Sequence, residues 1–244
     1  MVQQLPPQTS DTIYPESDGK PLADNTLQFR WIVTLKGGID ALFKDDPNVF
    51  VAGDLLWYPV QGQPKIVQAP DVMVAIGRPK GDRRSYKQWE EDNIPPQVVF
   101  EISSKSNTVA ELEGTKLDFY QRHGVDEYYL YDPDRIVLKG WLRSGENLES
   151  IESMLGWVSP RLGIRFEIVD GELQVFHPNG NRFRDVAEYD RWVEEKEQQI
   201  EEREREIEER ERQLEEKDRR IQEEQRRSQA LMEQLRALGV EPVE

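Results

Sequence analysis

The chain has 244 residues, enough for one domain of ordinary size plus an extension, and its formal net charge of −16 disfavours tight non-specific binding to DNA. The absence of cysteine excludes disulfides and thiolate zinc sites, and two histidines are too few for a histidine-rich metal site. With no apolar run long enough to span a bilayer and no signal-peptide pattern, the sequence predicts a cytoplasmic protein without a membrane segment.

The N-terminal part of the chain predicts an arm followed by a helix. Residues 1–24 are rich in proline and polar side chains, which predicts a flexible N-terminal arm. From Asn25 to Phe43, apolar side chains recur at helical spacing and predict the first helix of a domain that covers residues 25–183. The pair Gly37-Gly38 is expected to kink or divide this helix.

The rest of this domain alternates between β-type runs and helical patterns. Strands are predicted near residues 49–58, 66–76, 97–103, 126–131 and 135–142, with a helix at 109–123 that Thr108 and Glu111 open as a capping box. A short helix is predicted at 148–155, followed by a hairpin of strands 162–168 and 172–176 around Asp170-Gly171. This order predicts an α/β (α+β) domain with a mixed central sheet flanked by helices.

Three charged residues stand where folding alone favours other side chains. Asp71 opens one apolar β-type run, Glu101 interrupts a second, and Lys116 lies within the apolar stripe of the next helix. A bound cation removes the cost of burying unpaired carboxylates, so the two acids predict a divalent metal site, and the lysine can steady a water or a phosphate charge. Each residue also has a structural interpretation, as a strand opening, a loop cap and a solvent-reaching lysine respectively.

Two further groups are candidates for the same function. Asp54 lies inside the apolar run 49–58 and is a candidate auxiliary acid, although Gly53 before it is also typical of a β-bulge. The run 78–87 between the two acid-bearing strands is basic and could contact a nucleic-acid backbone, or could be a solvated loop. Its candidate DNA-contacting residues are Arg78, Lys80, Arg83 and Arg84.

Several stretches together resemble a known family. They are Glu16–Lys20, Val51–Asp54, Ala69–Val72, Pro95–Ser103, Lys116–Tyr120 and Gly124–Pro133. Over residues 10 to about 180, the chain resembles the Uma-two family of restriction-endonuclease-like proteins, within the PD-(D/E)xK nuclease superfamily. The resemblance implies a restriction-endonuclease-like fold and a metal-dependent endonuclease that hydrolyses phosphodiester bonds in DNA.

The resemblance also implies residue roles. Asp71 and Glu101 correspond to the two acids that bind Mg²⁺ or Mn²⁺, and the backbone carbonyl of Ile102 would be a further ligand. The superfamily's lysine two residues after the glutamate is replaced by Ser103, and Lys116 on the following helix matches the displaced lysine. This departure keeps open an alternative function, a weak or inactive nuclease-fold adaptor that uses its C-terminal helix to bind protein partners.

The tail differs in composition from the domain. Residues 186–238 are rich in Glu, Arg and Gln without glycine or proline, which predicts one long charged helix, and residues 239–244 are predicted to be flexible. Apolar residues recur every seven positions from Val193 to Ile221, but the partner heptad position is charged until Leu231, Leu235 and Leu238. The pattern fits either a coiled-coil homodimer or a charge-stabilised single helix that acts as a spacer.

Overall fold

The computed structural model describes residues 12–19 and 21–237. The beginning of the predicted arm, Lys20, Leu238 and the predicted flexible segment 239–244 lie outside the described residues. The chain divides into two compact units, Met1–Val186 and Ala187–Glu244. Within the described residues, no helix combines the length and the apolar character that crossing a bilayer requires.

The first helix, α1 (Thr26–Leu42), confirms the helix predicted over residues 25–43. Its N-cap is Asn25, whose side chain accepts a hydrogen bond from the backbone N–H of Gln28 at 2.9 Å. The helix runs through Gly37-Gly38 without a break, so the expected division does not occur. Gly38 instead allows close packing, because a Cβ at this position would overlap the ring of Phe183.

Ten strands form one large sheet and two small ones. The strands are β1 (Val49–Ala52), β2 (Trp57–Tyr58), β3 (Val72–Ile76), β4 (Tyr86–Lys87), β5 (Val98–Ile102), β6 (Glu127–Asp132), β7 (Val137–Ser144), β8 (Asn147–Ser150), β9 (Arg165–Val169) and β10 (Glu172–Phe176). The six-stranded sheet has the order β1-β3-β5-β6-β7-β8, in which only β5 and β6 are parallel neighbours. This arrangement confirms the predicted mixed central sheet.

A helical crossover joins the two parallel strands β5 and β6, as a parallel connection requires. It consists of a π-helical segment, Glu111–Lys116, and the helix α2 (Leu117–Arg122). The hydroxyl of Thr108 accepts a hydrogen bond from the backbone N–H of Glu111 at 3.2 Å, which is one half of the predicted capping box. The predicted single α-helix over 109–123 is therefore a π-helical turn followed by an α-helix.

Hydrophobic cores cover both faces of the large sheet. On one face, Val72, Val98 and Phe100 pack with α1 and with the β9–β10 hairpin. On the other face, Met73 and Val99 pack with residues of the crossover. Because side chains alternate along β5, Glu101 shares the second face with Val99.

Three sequence predictions are corrected by the structure. The run 49–58 is split into β1 and β2 because Asp54 adopts a left-handed backbone, with φ of 48°. Residues 66–71 contribute one isolated bridge, Trp57 with Gln68, so only Val72–Ile76 of the predicted strand 66–76 is a strand. The predicted helix at 148–155 is wrong, because β8 pairs with β7 and buries Leu148 alone between exposed neighbours.

One further prediction about this unit is confirmed, and one strand was not predicted. The hairpin around Asp170-Gly171 is confirmed, with β9 and β10 antiparallel and both turn residues at positive φ, 53° and 76°. The basic run 78–87 contains a strand that the sequence did not reveal, since β4 pairs in parallel with β2. Two-residue strands are too short for a periodic signal.

The second unit contains α3 (Val186–Ala237), a single helix of 52 residues that confirms the predicted long charged helix. Arg205, Arg212 and Arg220 each form an ion pair with the glutamate four residues earlier, as expected for a charge-stabilised helix. No residue of the helix is buried within the chain.

Candidate active site

A cleft of about 510 Å³ brings together the three charged residues that the sequence singled out. Asp71 reaches it from the start of β3, Glu101 from β5 and Lys116 from the end of the π-helical segment. Other lining residues include Asp18, Leu22, Asp24, Gln28, Asp54, Gln68, Asn107, Glu111 and Thr115. The predicted convergence of two acids and a lysine is therefore present in the fold.

Glu101 is buried, with 1% of its surface exposed, and both carboxylate oxygens accept hydrogen bonds. The ammonium of Lys116 donates to Oε2 at 2.8 Å, and the hydroxyl of Tyr120 donates to Oε1. Lys116 and Tyr120 lie four residues apart on the crossover, so one helical face supplies both donors. These contacts hold the carboxylate in one orientation at the base of the cleft.

Asp71 is also buried, and a backbone N–H of the neighbouring strand β5 orients its carboxylate. The backbone N–H of Ile102 donates to Oδ2 of Asp71 at 2.6 Å, and no described residue donates a hydrogen bond to the other oxygen, Oδ1. Burial raises the pKa of Asp71 well above its ordinary value, and the nearby charge of Glu101 raises it further. A second positive charge beside Lys116 would relieve this repulsion.

The Lys116 ammonium is held in its charged form. Burial by itself lowers the pKa of Lys116, but the charge and hydrogen bond of Glu101, followed by the charge of Asp71, outweigh it and the pKa is raised. Lys116 occupies the last position of the π-helical segment. Such segments are rare and recur at functional sites.

Asp54, the candidate auxiliary acid, lines the same cleft. Its backbone N–H donates to the carbonyl of Pro70 at 3.1 Å, which ties it beside Asp71. Burial, then the charges of Asp18 and Glu101, raise the pKa of Asp54 to about 6. Asp54 has a strained backbone with φ of 48°, which interrupts the extended strand at this residue. This conformation places its carboxylate beside the other carboxylates of the cleft.

The backbone carbonyl of Ile102, the predicted further ligand, already has one partner. The amide nitrogen of Gln28 donates to it at 2.9 Å in a buried contact. A carbonyl oxygen carries two lone pairs, so one remains for a second partner. The role of Ile102 as a ligand stays a prediction.

The four candidate DNA-contacting residues of the run 78–87 are not among the described residues that line the cleft. Arg78 and Arg83 bind the same carboxylate, that of Glu91, at 2.9 and 2.6 Å, and both side chains are 13% exposed. Arg84 is exposed and pairs with Glu16 at 2.9 Å, and Lys80 is exposed. Arg78 and Arg83 thus have a structural partner, and the role of all four in DNA binding stays a prediction.

The N-terminal segment contributes to the cleft, which the sequence did not indicate. The ring of Tyr14 packs against Tyr58 and Trp89, and the hydroxyl of Tyr58 donates to the carbonyl of Pro15 at 2.7 Å. In residues 12–19, the predicted flexible arm is therefore packed on the domain, and it delivers Asp18 to the cleft. Proline and polar residues predicted disorder because no periodic apolar pattern marks these contacts.

The sequence did not single out Tyr120 as a residue of the site. Its position four residues after Lys116 was the available signal, since residues at i and i+4 share a helical face. Asp24 and Gln28 had no signal in the sequence. They reach the cleft because α1 begins beside the end of β5, where Gln28 meets Ile102.

The donor set of the cleft suits a hard divalent cation. Among the described residues that line the cleft, the carboxylates Asp18, Asp24, Asp54, Asp71, Glu101 and Glu111 outnumber the cations, of which there is one, Lys116. Oxygen is the ligand that Mg²⁺ and Mn²⁺ prefer. Among residues 12–19 and 21–237, no three acidic or histidine side chains are grouped closely enough to hold a metal by themselves. A cation here needs backbone or water oxygens as well as carboxylates.

Comparison with known proteins assigns the family. The family model described as "Uma2: Putative restriction endonuclease" matches residues 10–157, more than half of the chain. The protein belongs to this family of restriction-endonuclease-like nucleases.

One solved structure and the curated proteins complete the comparison. A crystal structure described as a putative nuclease belonging to DUF820 from Anabaena variabilis is 15% identical, with a TM-score of 0.38, over 54% of this chain and 70% of that chain. No curated protein matches the sequence.

Proposed function

We propose that the cleft hydrolyses phosphodiester bonds in DNA, as the active site of a Mg²⁺- or Mn²⁺-dependent endonuclease. The observation that carries the proposal is the meeting of Glu101, Asp71 and Lys116 in one cleft, with the Lys116 ammonium 2.8 Å from the Glu101 carboxylate. The family to which the chain belongs supports the same class of reaction. Two buried acids in the same cleft, of which one pairs with a partly buried lysine, are costly as a purely structural arrangement.

The charge of the cleft supports a requirement for a cation. A phosphodiester is anionic, and the described lining residues, six carboxylates against one lysine, would repel it. Asp71 and Glu101 would hold the ion, the Ile102 carbonyl would be a further ligand, and water would complete the coordination. When bound, Mg²⁺ or Mn²⁺ polarises a phosphoryl oxygen and lowers the pKa of a coordinated water.

The remaining roles belong to residues of this chain. Lys116 is charged, and it can donate to a phosphate oxygen or orient the attacking water as negative charge develops at phosphorus. Tyr120 positions Glu101 through its hydrogen bond and does not itself reach the cleft lining. Asp54, with a pKa of about 6, is suited to accept a proton from water near neutral pH.

Substrate binding would extend beyond the cleft. Lys80 and Arg84 are the exposed members of the basic run and are the residues of that run best placed to meet a DNA backbone. A homodimer through α3 is part of the proposal, because two copies of the cleft suit cleavage of both strands of a duplex.

The test is cleavage of supercoiled plasmid by the purified full-length protein with Mn²⁺. We expect nicked or linear product that disappears with a chelator and falls at least about 100-fold in Asp71→Asn, which removes a charge from the proposed cation site. The same incubation with a single-stranded RNA separates DNA from RNA as substrate.

The matched control is Glu127→Gln. Glu127 is a second fully buried glutamate of the sheet that accepts a tyrosine hydroxyl hydrogen bond, but it does not line the cleft. Equal activity of wild type and Asp71→Asn would refute the proposed site. No cleavage of either nucleic acid by a folded wild-type protein would favour the adaptor function instead.

A further inference from the structure

The helix α3 carries an apolar stripe that stays exposed among the residues that the structure describes. One apolar residue recurs every seven positions, at Val193, Ile200, Ile207, Leu214 and Ile221. The last four of these side chains are 52% to 59% exposed. Such a stripe along an otherwise charged helix is typical of a surface that binds another helix.

The two edges of this stripe carry opposite charges. After each of the first four apolar residues of the stripe, the third residue along the helix is a base and the fourth is an acid. The basic edge comprises Lys196, Arg203, Arg210 and Lys217, and the acidic edge comprises Glu197, Glu204, Glu211 and Asp218. At 3.6 residues per turn, the third residue lies about 60° to one side of the apolar residue and the fourth about 40° to the other.

We propose that this stripe binds the same stripe of a second copy of the chain, parallel and in register. In a parallel pair, the two-fold axis runs along the helices, so the basic edge of one helix faces the acidic edge of the other. Arg203 would then meet Glu204 of the partner subunit, and the same pairing repeats along the stripe. In an antiparallel pair each edge faces itself, base against base and acid against acid, which costs free energy.

The ion pairs inside α3 are compatible with this pairing, because they use other faces of the helix. Glu201 with Arg205 and Glu208 with Arg212 form i,i+4 pairs, each with its nitrogen and oxygen 3.6 Å apart. None of these four residues belongs to the basic or the acidic edge. Lys196 of the basic edge donates a hydrogen bond to the neutral amide of Gln199 at 3.0 Å, which does not neutralise its charge. The charges of both edges therefore stay available to a second helix.

The apolar residues themselves favour the same orientation. Val193, Ile200, Ile207 and Ile221 are β-branched, and in a parallel coiled coil β-branched residues at this heptad position favour two strands over three or four. Farther along, Leu231 and Leu235 occupy both positions of the seam and meet their own copies only when the helices are parallel and in register. An antiparallel pair that matches 193–221 with itself would place Leu231 opposite position 183, before α3 begins.

Single cysteines in the full-length protein test the orientation, because the natural chain contains no cysteine. In Ile200→Cys and Leu235→Cys, we expect disulfide-linked dimers under mild oxidation, since each position meets its own copy in a parallel pair. Glu209→Cys, on the side of α3 away from the stripe, is the control and should give little cross-linked product. Cross-linking of both stripe positions no greater than that of Glu209→Cys would overturn the proposal.

Charge reversal tests the pairing of the edges. Sedimentation equilibrium of the full-length protein should show a dimer whose dissociation constant rises about tenfold in Arg203→Glu/Arg210→Glu, and as much in Glu204→Arg/Glu211→Arg. Combining all four substitutions should restore the dimer, because the two edges then exchange signs. This restoration cannot come from a general loss of helix stability.

The matched control for charge reversal is Arg205→Glu/Arg212→Glu, which changes the net charge equally and removes two of the ion pairs inside the helix. It should leave the dissociation constant within about twofold of wild type. A wild-type protein that is monomeric at tens of micromolar, or a control that weakens the dimer as much as the edge variants, would overturn the proposal. The pairing is independent of hydrolysis, so neither result depends on nuclease activity.

Discussion

Two neighbouring strands of the central sheet each contain a buried glutamate, one near the end of its strand and the other at the start. The two sites differ in the groups that surround the carboxylate. Glu101 lies near the end of β5 and accepts hydrogen bonds from the charged Lys116 and from Tyr120. It lines a cleft with Asp71, whose pKa is raised by burial and by the charge of Glu101.

Glu127 lies at the start of the neighbouring strand β6 and is enclosed by neutral donors. The hydroxyls of Tyr129 and Ser159 and the backbone N–H of Arg161 all donate to its carboxylate. Burial raises its pKa, and these three hydrogen bonds offset part of that rise. The contacts fasten the loop around residue 160 to the sheet, and Glu127 does not line the cleft.

The difference teaches that a buried acid does not identify a functional site by itself. Both glutamates are almost completely shielded from solvent, at 1% and 0% exposed. The distinguishing features are a second acid within electrostatic range, a lysine as donor and an opening large enough for a ligand. Glu101 has all three, and Glu127 has a set of hydrogen bonds that already satisfies it.

The largest expected contrast is between Glu101→Gln and Glu127→Gln. We expect Glu101→Gln to lose cleavage by at least about 100-fold, because it removes a proposed cation ligand. Glu127→Gln should keep its activity but lose about 1–3 kcal/mol of the free energy of unfolding. The reason is that the side-chain NH₂ of the glutamine would face groups that are themselves hydrogen-bond donors. Plasmid cleavage and urea denaturation of both variants check this, and loss of activity in both would erase the distinction between the two sites.

A smaller contrast is expected between the tyrosines that donate to each glutamate. Tyr120→Phe removes a donor to Glu101 and should lower cleavage about tenfold while raising the Mn²⁺ concentration needed for half-maximal activity. Tyr129→Phe removes the corresponding donor to Glu127 and should leave both quantities unchanged. Each variant should lose about 1 kcal/mol of the free energy of unfolding. Equal cleavage by the two variants would show that Tyr120 only packs.

The smallest expected effect is a pH dependence of stability that originates at Asp54. Its pKa in the folded protein is about 6, above the ordinary value of 3.8, so the folded state binds more protons than the unfolded state between these values. The metal-free protein should therefore lose stability as pH rises from about 4 to about 6, on the order of 1 kcal/mol after solvent screening. The loss is absent at or below the lower value and complete above the higher one.

Asp54→Asn should flatten this part of the pH profile, and Asp82→Asn, which removes an exposed acid outside the cleft, should leave it unchanged. Urea denaturation at a series of pH values in the presence of a chelator measures both. A profile of Asp54→Asn that keeps the wild-type slope would place the titrating group elsewhere.

Much of the site could be predicted because its residues contradict their local pattern. A glutamate inside an apolar strand and a lysine inside an apolar helical stripe are visible without a structure. Asp18 and Gln28 follow ordinary local rules, so nothing in their neighbourhood marked them. The sequence did not reveal that Arg78 and Arg83, two of the candidate DNA-contacting residues, both bind Glu91.

The fold shows the same division. Periodicity predicted α1, the long helix α3 and the β9–β10 hairpin, because each carries its signal in consecutive residues. The helix expected at 148–155 is a strand, because pairing with β7 outweighs the weak preference of a short segment.

The sequence by itself determined the class of the domain, the identity of the two acids and the lysine, and the charged helix with its regular apolar repeat. Only the tertiary structure decided that Asp18 and Gln28 line the cleft, that Tyr120 donates a hydrogen bond to Glu101, and that two of the arginines bind an internal glutamate. The physical reason is the distance along the sequence between the residues that interact. Periodicity and misplaced charges are properties of neighbouring residues, whereas the partner of a buried polar group is chosen by chain crossings between distant segments.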